Sequence, residues 1–145
     1  MNNQNIANNL HKIIRNSYVL ALKTQNFHWN VAGPNFKSLH DLFSSQYEDL
    51  SEAIDDLAER IRALDILVPA RFDLFLGESE IKNGSEKSNW QVMVKELCDD
   101  NKELSKMINI CLREVQKEGD EATADMLIER AQVHDKNAWM LKSSL

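Results

Sequence analysis

Residues 23–43 of the chain are KTQNFHWNVAGPNFKSLHDLF, and this stretch predicts the end of one long helix, a tight turn and the start of a second helix. Upstream, apolar residues recur at helical spacing from about residue 5 to residue 31, which predicts an amphipathic helix. Gly33 and Pro34 interrupt that pattern, because glycine permits turn conformations and proline cannot continue a helix. A second apolar stripe runs from about residue 35 to residue 64, so the two helices are expected to form a hairpin.

The rest of the chain predicts a second hairpin of long helices. Residues 65–88 contain one proline and two glycines, which indicates a long connection, and its apolar patch at 72–76 predicts one short helix. Helices are expected at about 89–117 and 120–141, with Gly119 between them. Two helical hairpins joined by a long crossover form a four-helix bundle. At 145 residues, the sequence predicts an all-α protein with a single domain over 1–145.

Composition and charge restrict the classes of function. No apolar run reaches about 18 residues, and the first ten residues lack a basic or apolar leader, so we expect a cytoplasmic protein without a transmembrane helix. The net charge of −6 argues against holding polyanions by charge alone and is compatible with handling cations. Cys98 and Cys111 lie roughly 20 Å apart along one predicted helix, too far for a disulfide between them. We expect two small core residues in a reducing compartment.

Four residues of the first hairpin are candidate metal ligands, namely His28, His40, Asp55 and Glu59. Each alone has an ordinary explanation, because a histidine near a helix end can compensate the helix dipole and acidic pairs on helices are usually solvated. At about 100° per residue, however, His40, Asp55 and Glu59 fall on one face of the second helix, away from its apolar stripe. Asp56 points elsewhere, so Asp55 is the preferred member of that adjacent pair.

The distances between these residues predict a site shared by two chains. His40 and Asp55 are roughly 22 Å apart along a straight helix, so they cannot bind one ion within one chain. His28 and His40 flank the same turn and can lie close together. A two-fold axis near the middle of the second helix would bring the histidine end of one chain to the carboxylate end of the other. Such nitrogen and carboxylate ligands suit ferrous iron, and also zinc or manganese.

Several segments resemble those of the Dps-like miniferritins. They are the stretch at 23–43, QYEDL at 46–50, DDLAERIRAL at 55–64 and the closing HDKNAWMLKSSL at 134–145. The resemblance covers nearly the whole chain. It implies a ferritin-like four-helix bundle with a short extra helix in the long connection, assembled into a dodecameric shell. It also implies an activity, in which the shell oxidises ferrous iron with hydrogen peroxide or oxygen and stores the ferric product.

The resemblance implies roles for individual residues as well. His28 and His40 would bind iron from one subunit, and Asp55 and Glu59 from its partner, with Glu59 as the bridging carboxylate. Trp29 would lie beside this ferroxidase centre, although a plain packing role is equally compatible with its position.

Other positions bear on the iron chemistry. Many family members carry an acidic residue one turn after the second histidine, where this chain has Ser44. Because serine is a poor iron ligand, the second iron position is expected to be weak or filled by water. Asp120, Glu121 and Asp125 gather at the start of the last helix, the region that lines the three-fold pores of the family with acidic residues. Compensation of the helix dipole is the alternative role for this group.

DNA binding is the family's other activity, and it usually depends on a lysine-rich terminal tail. Residues 1–10 contain no lysine or arginine, and Lys142 is the one basic residue after Trp139. Because lysine and arginine supply most contacts with phosphates, we expect DNA binding to be weak. A DNA-compacting protein in which iron oxidation is secondary is the main alternative, and exposed basic faces on the assembled cage would favour it. An adhesive or immune-stimulating relative with little iron activity is a third possibility, which the intact ligand set argues against.

Overall fold

The chain folds into five helices. A computed structural model describes residues 2–145, and its helices in chain order are α1 (Asn3–Asn30), α2 (Phe36–Ala63), α3 (Phe72–Glu78), α4 (Trp90–Lys117) and α5 (Glu121–Lys142). The described residues contain no strand. The expected all-α bundle with a short extra helix in the connection is confirmed, and the long helices begin and end within two residues of their expected bounds.

The four long helices enclose one hydrophobic core. α1 packs along α2, α4 packs along α5, and α1 also contacts α4 across the bundle. Each long helix contributes apolar residues from one face, as the periodicity predicted, and burial of each large side chain stabilises the fold by roughly 2 kcal/mol. The largest fully buried side chains include Phe27, Phe43, Leu57, Met93, Leu97 and Leu104.

Local signals fix where the helices begin and where the chain turns. The side chains of Asn2, Asn89 and Asp120 each accept a hydrogen bond from the backbone N–H three residues later, which satisfies a donor that the helix itself leaves unpaired. Gly33 and Gly119 have φ angles of 123° and 79°, a conformation that strains residues with a Cβ atom. These two glycines therefore allow the sharp turns that follow α1 and α4.

The connection between α2 and α4 is attached to α1. The side-chain oxygen of Asn16 accepts hydrogen bonds from the backbone N–H groups of Glu80 and Ile81, at 2.9 and 3.1 Å. Phe75 of α3 is buried, and its ring centroid lies 5.0 Å from that of Tyr18 on α1. The crossover is therefore ordered by specific contacts with the first helix.

The two cysteines belong to the core, as expected. Cys98 and Cys111 are free thiols of α4, and both are buried. No helix within residues 2–145 combines the length and the apolar character that crossing a membrane requires.

A polar network runs through the bundle between α2, α4 and α5. His134 is 1% exposed, and its Nδ1 lies 2.8 Å from the side-chain oxygen of Asn101. Its Nε2 lies 3.2 Å from the guanidinium of Arg130, which also pairs with Asp49 at 3.0 Å. Because a guanidinium can only donate, Nε2 is the acceptor and the imidazole is neutral. Burial, reinforced by the positive charge of Arg130, lowers the pKa of His134 to about 3.

This shift predicts a stability that falls in mild acid. The unfolded chain binds a proton at His134 near pH 6.5, whereas the folded chain resists it until about pH 3, so protons favour unfolding between these values. The free energy of unfolding should therefore fall by up to about 1.4 kcal/mol for each pH unit below 6.5 through this group alone. His134→Gln should show a flatter profile between pH 6.5 and 4.5 in urea unfolding at one protein concentration. Parallel profiles for the two proteins would contradict this account.

Candidate functional site

His28 and His40 face each other across the turn at Gly33. His28 lies in the last turn of α1, and His40 lies in the second turn of α2. Their rings stack with centroids 3.8 Å apart and planes inclined by 18°, and both residues are partly buried. The structure therefore brings together the two histidines that the sequence singled out.

Two reciprocal hydrogen bonds hold the histidine pair. Nδ1 of His28 lies 2.7 Å from the backbone carbonyl oxygen of His40, and Nδ1 of His40 lies 2.8 Å from the carbonyl oxygen of His28. A carbonyl oxygen only accepts, so each Nδ1 must carry the proton and donate it. In the neutral rings, each Nε2 then keeps a lone pair. This tautomer suits metal binding through Nε2, with the backbone carbonyl orienting the ring from behind.

Two aromatic rings that the sequence reasoning missed complete the surroundings of the pair. Phe36 stacks on His40 with centroids 5.1 Å apart, and Tyr47 presents its edge to His28 at 5.4 Å. Phe36 precedes His40 by four residues and Tyr47 follows it by seven, so helical spacing was the signal that could have found both. Trp29 is 64% exposed, so its ring lies mostly outside the core of its own chain.

The two predicted carboxylates lie further along α2 and line different cavities. Asp55 borders a groove of about 460 Å³ between α1 and α2, which Tyr47 also lines. Glu59 borders a second groove of about 470 Å³ between α2 and α5. Both carboxylates are exposed, and roughly 22 Å of helix separates Asp55 from His40. The histidine half and the carboxylate half are therefore separate within one chain.

Around the groove at Asp55, several apolar and aromatic side chains remain exposed. Tyr18, Leu22 and Phe72 are 41%, 52% and 82% exposed. Over the part of the chain that the structure describes, residues 2–145, no three histidine, cysteine, aspartate or glutamate side chains cluster closely enough to hold a metal ion.

Comparison with known proteins identifies the family. The family model for the ferritin-like domain matches residues 7–145. The DNA protection during starvation protein of Brevibacillus brevis is 35% identical over 142 residues, which cover 98% of this chain and 95% of that protein. The chain belongs to the Dps-type ferritin-like proteins.

Solved structures agree with this assignment. The crystal structure of Dps from Staphylococcus aureus matches with a TM-score of 0.94 at 34% identity, over 98% of this chain and 95% of that one. The Dps protein of Vibrio cholerae O1 matches with a TM-score of 0.92 at 30% identity, over 97% and 89% of the two chains. That protein is described as a member of a broad superfamily of ferritin-like diiron-carboxylate proteins. The Dps-type fold is therefore shared over nearly the whole chain.

Ser44 occupies the position for which the Dps resemblance implies an acidic residue in many family members. It lies one turn after His40 and is partly buried. Its hydroxyl donates a hydrogen bond to the backbone carbonyl of Asp41 at 3.0 Å. The side chain is therefore bonded within its own helix and carries no negative charge.

Asp120 differs from the other two candidate pore residues. Its buried carboxylate accepts hydrogen bonds from the backbone N–H of Thr123 at 3.1 Å, from the Thr123 hydroxyl, and from Arg60 of α2 at 3.0 Å. Burial alone would raise the pKa of Asp120, but the bonds from Thr123 and Arg60 outweigh it and hold the pKa below its ordinary value. Glu121 and Asp125 are exposed and border one shallow cavity. Asp120 thus caps α5 and anchors α2, and pore lining stays a prediction for Glu121 and Asp125.

Proposed function

We propose that this Dps-type protein is an iron-oxidising and iron-storing cage. The histidine pair carries the proposal, because both Nδ1 atoms donate to carbonyl oxygens and both Nε2 atoms keep a lone pair for a metal ion. Neutral imidazole and carboxylate ligands suit ferrous iron, and zinc and manganese can use the same set. Membership of a family that includes a protein described as diiron-carboxylate supports the choice of iron.

The ferroxidase centre in this proposal is shared between two subunits. His28 and His40 bind iron from one chain, and Asp55 and Glu59 of the partner subunit complete the site, with Glu59 bridging. Two observations support the sharing, namely the separation of the two halves within one chain and the exposed apolar side chains beside Asp55. Apolar side chains around a groove are what an interface between copies would cover.

Iron is the substrate of the proposed reaction. Each ferrous ion loses one electron, and hydrogen peroxide takes up two electrons and two protons to give two molecules of water; oxygen is the alternative oxidant. The protein supplies ligands, orientation and a partly buried setting, in which the backbone carbonyls hold the imidazoles in one tautomer. Trp29 lies beside this centre in the assembled protein. Consuming peroxide together with iron protects the cell against oxidative damage.

The proposal also covers how iron enters the cage, where in the cell the protein acts and where the oxidised iron is stored. Glu121 and Asp125 line the pores through which ferrous ions enter the cage. The cytoplasm remains the expected location. Storage of ferric oxide takes place inside the cage, which we propose to be a dodecamer of this 16.7 kDa chain.

DNA compaction is the alternative that the name of the Brevibacillus brevis relative suggests. The charge of −6 opposes it. The start of α1 opposes it as well, because the backbone N–H of Asn2 is bonded to the Glu118 carboxylate at 2.8 Å and no basic residue lies among residues 2–10. The described residues therefore offer no basic arm here, and we expect weak DNA binding.

One experiment tests the proposed activity and assembly together. Ferrous iron is added anaerobically to the purified protein, peroxide follows, and ferric absorbance is traced through size exclusion. We expect the iron to elute with a particle far larger than 16.7 kDa, with the mass of a dodecamer. Iron that precipitates as in a protein-free control, or a monomer that carries none, would refute the proposal. A shift of plasmid DNA by the same iron-free particle at physiological salt would favour the alternative.

A shared centre predicts complementation between two inactive variants. One variant carries His28→Ala and His40→Ala, the other Asp55→Ala and Glu59→Ala, and each alone should lose rapid iron oxidation. In co-expressed mixed cages, about a quarter of the sites combine intact histidines with intact carboxylates under random pairing, so about a quarter of wild-type activity should return.

Asp56→Ala provides the matched control for the second variant, because it removes a neighbouring exposed carboxylate outside the proposed ligand set. It should oxidise iron at the wild-type rate. Mixed cages of verified composition that stay as slow as their parents would sink the shared-site model.

The serine at position 44 predicts that the second iron position can be strengthened. Ser44→Asp or Ser44→Glu places a carboxylate one turn from His40, so a second iron should bind at least about tenfold more tightly. Anaerobic calorimetric titration measures this as a rise in tightly bound iron per site. Ser45→Glu is the control, because it adds the same charge on an exposed neighbouring position. Equal stoichiometry in the Ser44 and Ser45 variants would count against the role given to position 44.

A further inference from the structure

The turn between the two histidines lies directly against the start of α4. Trp90 is the first residue of α4 and is partly buried. A Cβ atom built on Gly33 would stand 2.8 Å from Cδ1 and 3.3 Å from Nε1 of the Trp90 indole. Both distances are shorter than ordinary van der Waals contact, so the indole packs on the bare Cα of Gly33. Position 33 thus requires glycine for this contact as well as for its φ of 123°.

From Gly33, a chain of contacts leads to the histidine pair. The carbonyl oxygen of Gly33 accepts the backbone N–H of Phe36 at 3.2 Å, which closes the turn at the start of α2. The Phe36 ring stacks on His40, whose ring stacks on His28. The reciprocal bonds between the histidines require the end of α1 and the start of α2 to keep a fixed separation. A shift of the turn would therefore change the very distances that fix both imidazoles.

A second contact reaches the same hairpin from the segment before α4. A Cβ atom on Gly84 would collide with the ring of Phe27, the fully buried residue that precedes His28. The carbonyl oxygen of Gly84 accepts a hydrogen bond from the side chain of Asn26 at 3.2 Å. The end of the long crossover thus covers the last turn of α1, while Trp90 covers the adjoining turn.

We infer that Trp90 is a positioning residue for the histidine half of the iron site, acting through the turn at Gly33. The inference rests on the proposed function for its link to iron, but the positioning itself concerns only contacts within this chain. Trp90 holds the backbone that supplies both carbonyl acceptors, and loss of the outer-shell partners that bond metal-binding histidines typically changes metal affinity 10- to 100-fold.

A purely structural role for Trp90 gives a different expectation. As a core-contacting residue, it would contribute to stability and leave the affinity for metal unchanged in the molecules that remain folded. Leu97 provides the matched control, because it lies two turns further along the same helix and is fully buried. Leu97→Ala should lower the melting temperature while leaving the metal site intact.

The experiment uses the assembled protein and zinc alone as the probe. Calorimetric titration of the wild type and of the His28→Ala, His40→Ala double variant defines the zinc binding that depends on the histidines. For that component, we expect Trp90→Leu to bind at least about tenfold more weakly, whereas Trp90→Phe recovers most of the affinity and Leu97→Ala retains it. A crystal structure of metal-free Trp90→Leu should show the two Nδ1–carbonyl distances lengthened beyond hydrogen bonding.

A second pair of variants changes glycines instead of Trp90. It tests the same contact in the case that Trp90→Leu does not fold. Gly33→Ala forces a Cβ atom against the indole, whereas Gly119→Ala also meets a positive φ, 79° against 123° at Gly33, but has no atom within 4 Å. Gly33→Ala should weaken the histidine-dependent zinc binding, and Gly119→Ala should not.

The outcomes separate this inference from the proposed function. The inference is overturned if Trp90→Leu and Gly33→Ala both bind zinc with wild-type affinity and keep the two Nδ1–carbonyl bonds. That result leaves the proposed function untouched. If the wild type has no histidine-dependent zinc binding, the proposed site fails instead. The metal-free crystal structures then still decide whether Trp90 positions the histidines.

Discussion

The pair of hydrogen bonds between His28 and His40 is the constraint on which the rest of the site depends. Each imidazole is oriented by the backbone carbonyl of the other residue, so the orientation of each ring depends on the position of the other residue's backbone. The end of α1, the turn and the start of α2 must therefore keep their relative positions for both imidazoles to keep their tautomers and orientations. A pair of unlinked histidines on a mobile loop would lose more conformational freedom on binding an ion, because both side chains would have to be ordered at that moment.

The second helix carries three of the four proposed ligands, and it is fixed at both ends. At its start, His40 is bonded to the end of α1, and at its far end Arg60 is bonded to Asp120 at the start of α5. With 28 residues it is roughly 42 Å long, so small tilts at either end would displace the ligands considerably. Arg60 directly follows Glu59. The bond from Arg60 to Asp120 therefore fixes the end of α2 that carries the carboxylates, as the histidine pair fixes the end that carries His40.

Sequence patterns predicted the fold well because the signals for it are local. Apolar periodicity, the capping residues Asn89 and Asp120 and the turn glycines act within a few residues of their effects.

The candidate site was predictable only in part. Helical spacing placed His40 and the carboxylates on one face, but the bond from each imidazole to the other's carbonyl depends on the detailed path of the turn. The contact between Trp90 and Gly33 joins residues 57 positions apart, and the burial of Asp120 depends on Arg60, which is 60 positions away. Such pairings follow from the packing of whole helices, which no short motif records.

The placement of the two cysteine sulfur atoms has a consequence for a protein proposed to handle peroxide. Peroxide attacks thiolates far faster than thiols, and successive oxidation of a cysteine ends in irreversible acids or in cross-links. Burial raises the pKa of Cys111 to about 11, so this residue is almost entirely a thiol at neutral pH, and Cys98 is only 4% exposed. Both thiols are thus shielded from the oxidant that the proposed reaction would consume. Cysteine oxidation and disulfide linkage between copies of the chain are therefore disfavoured while peroxide is consumed.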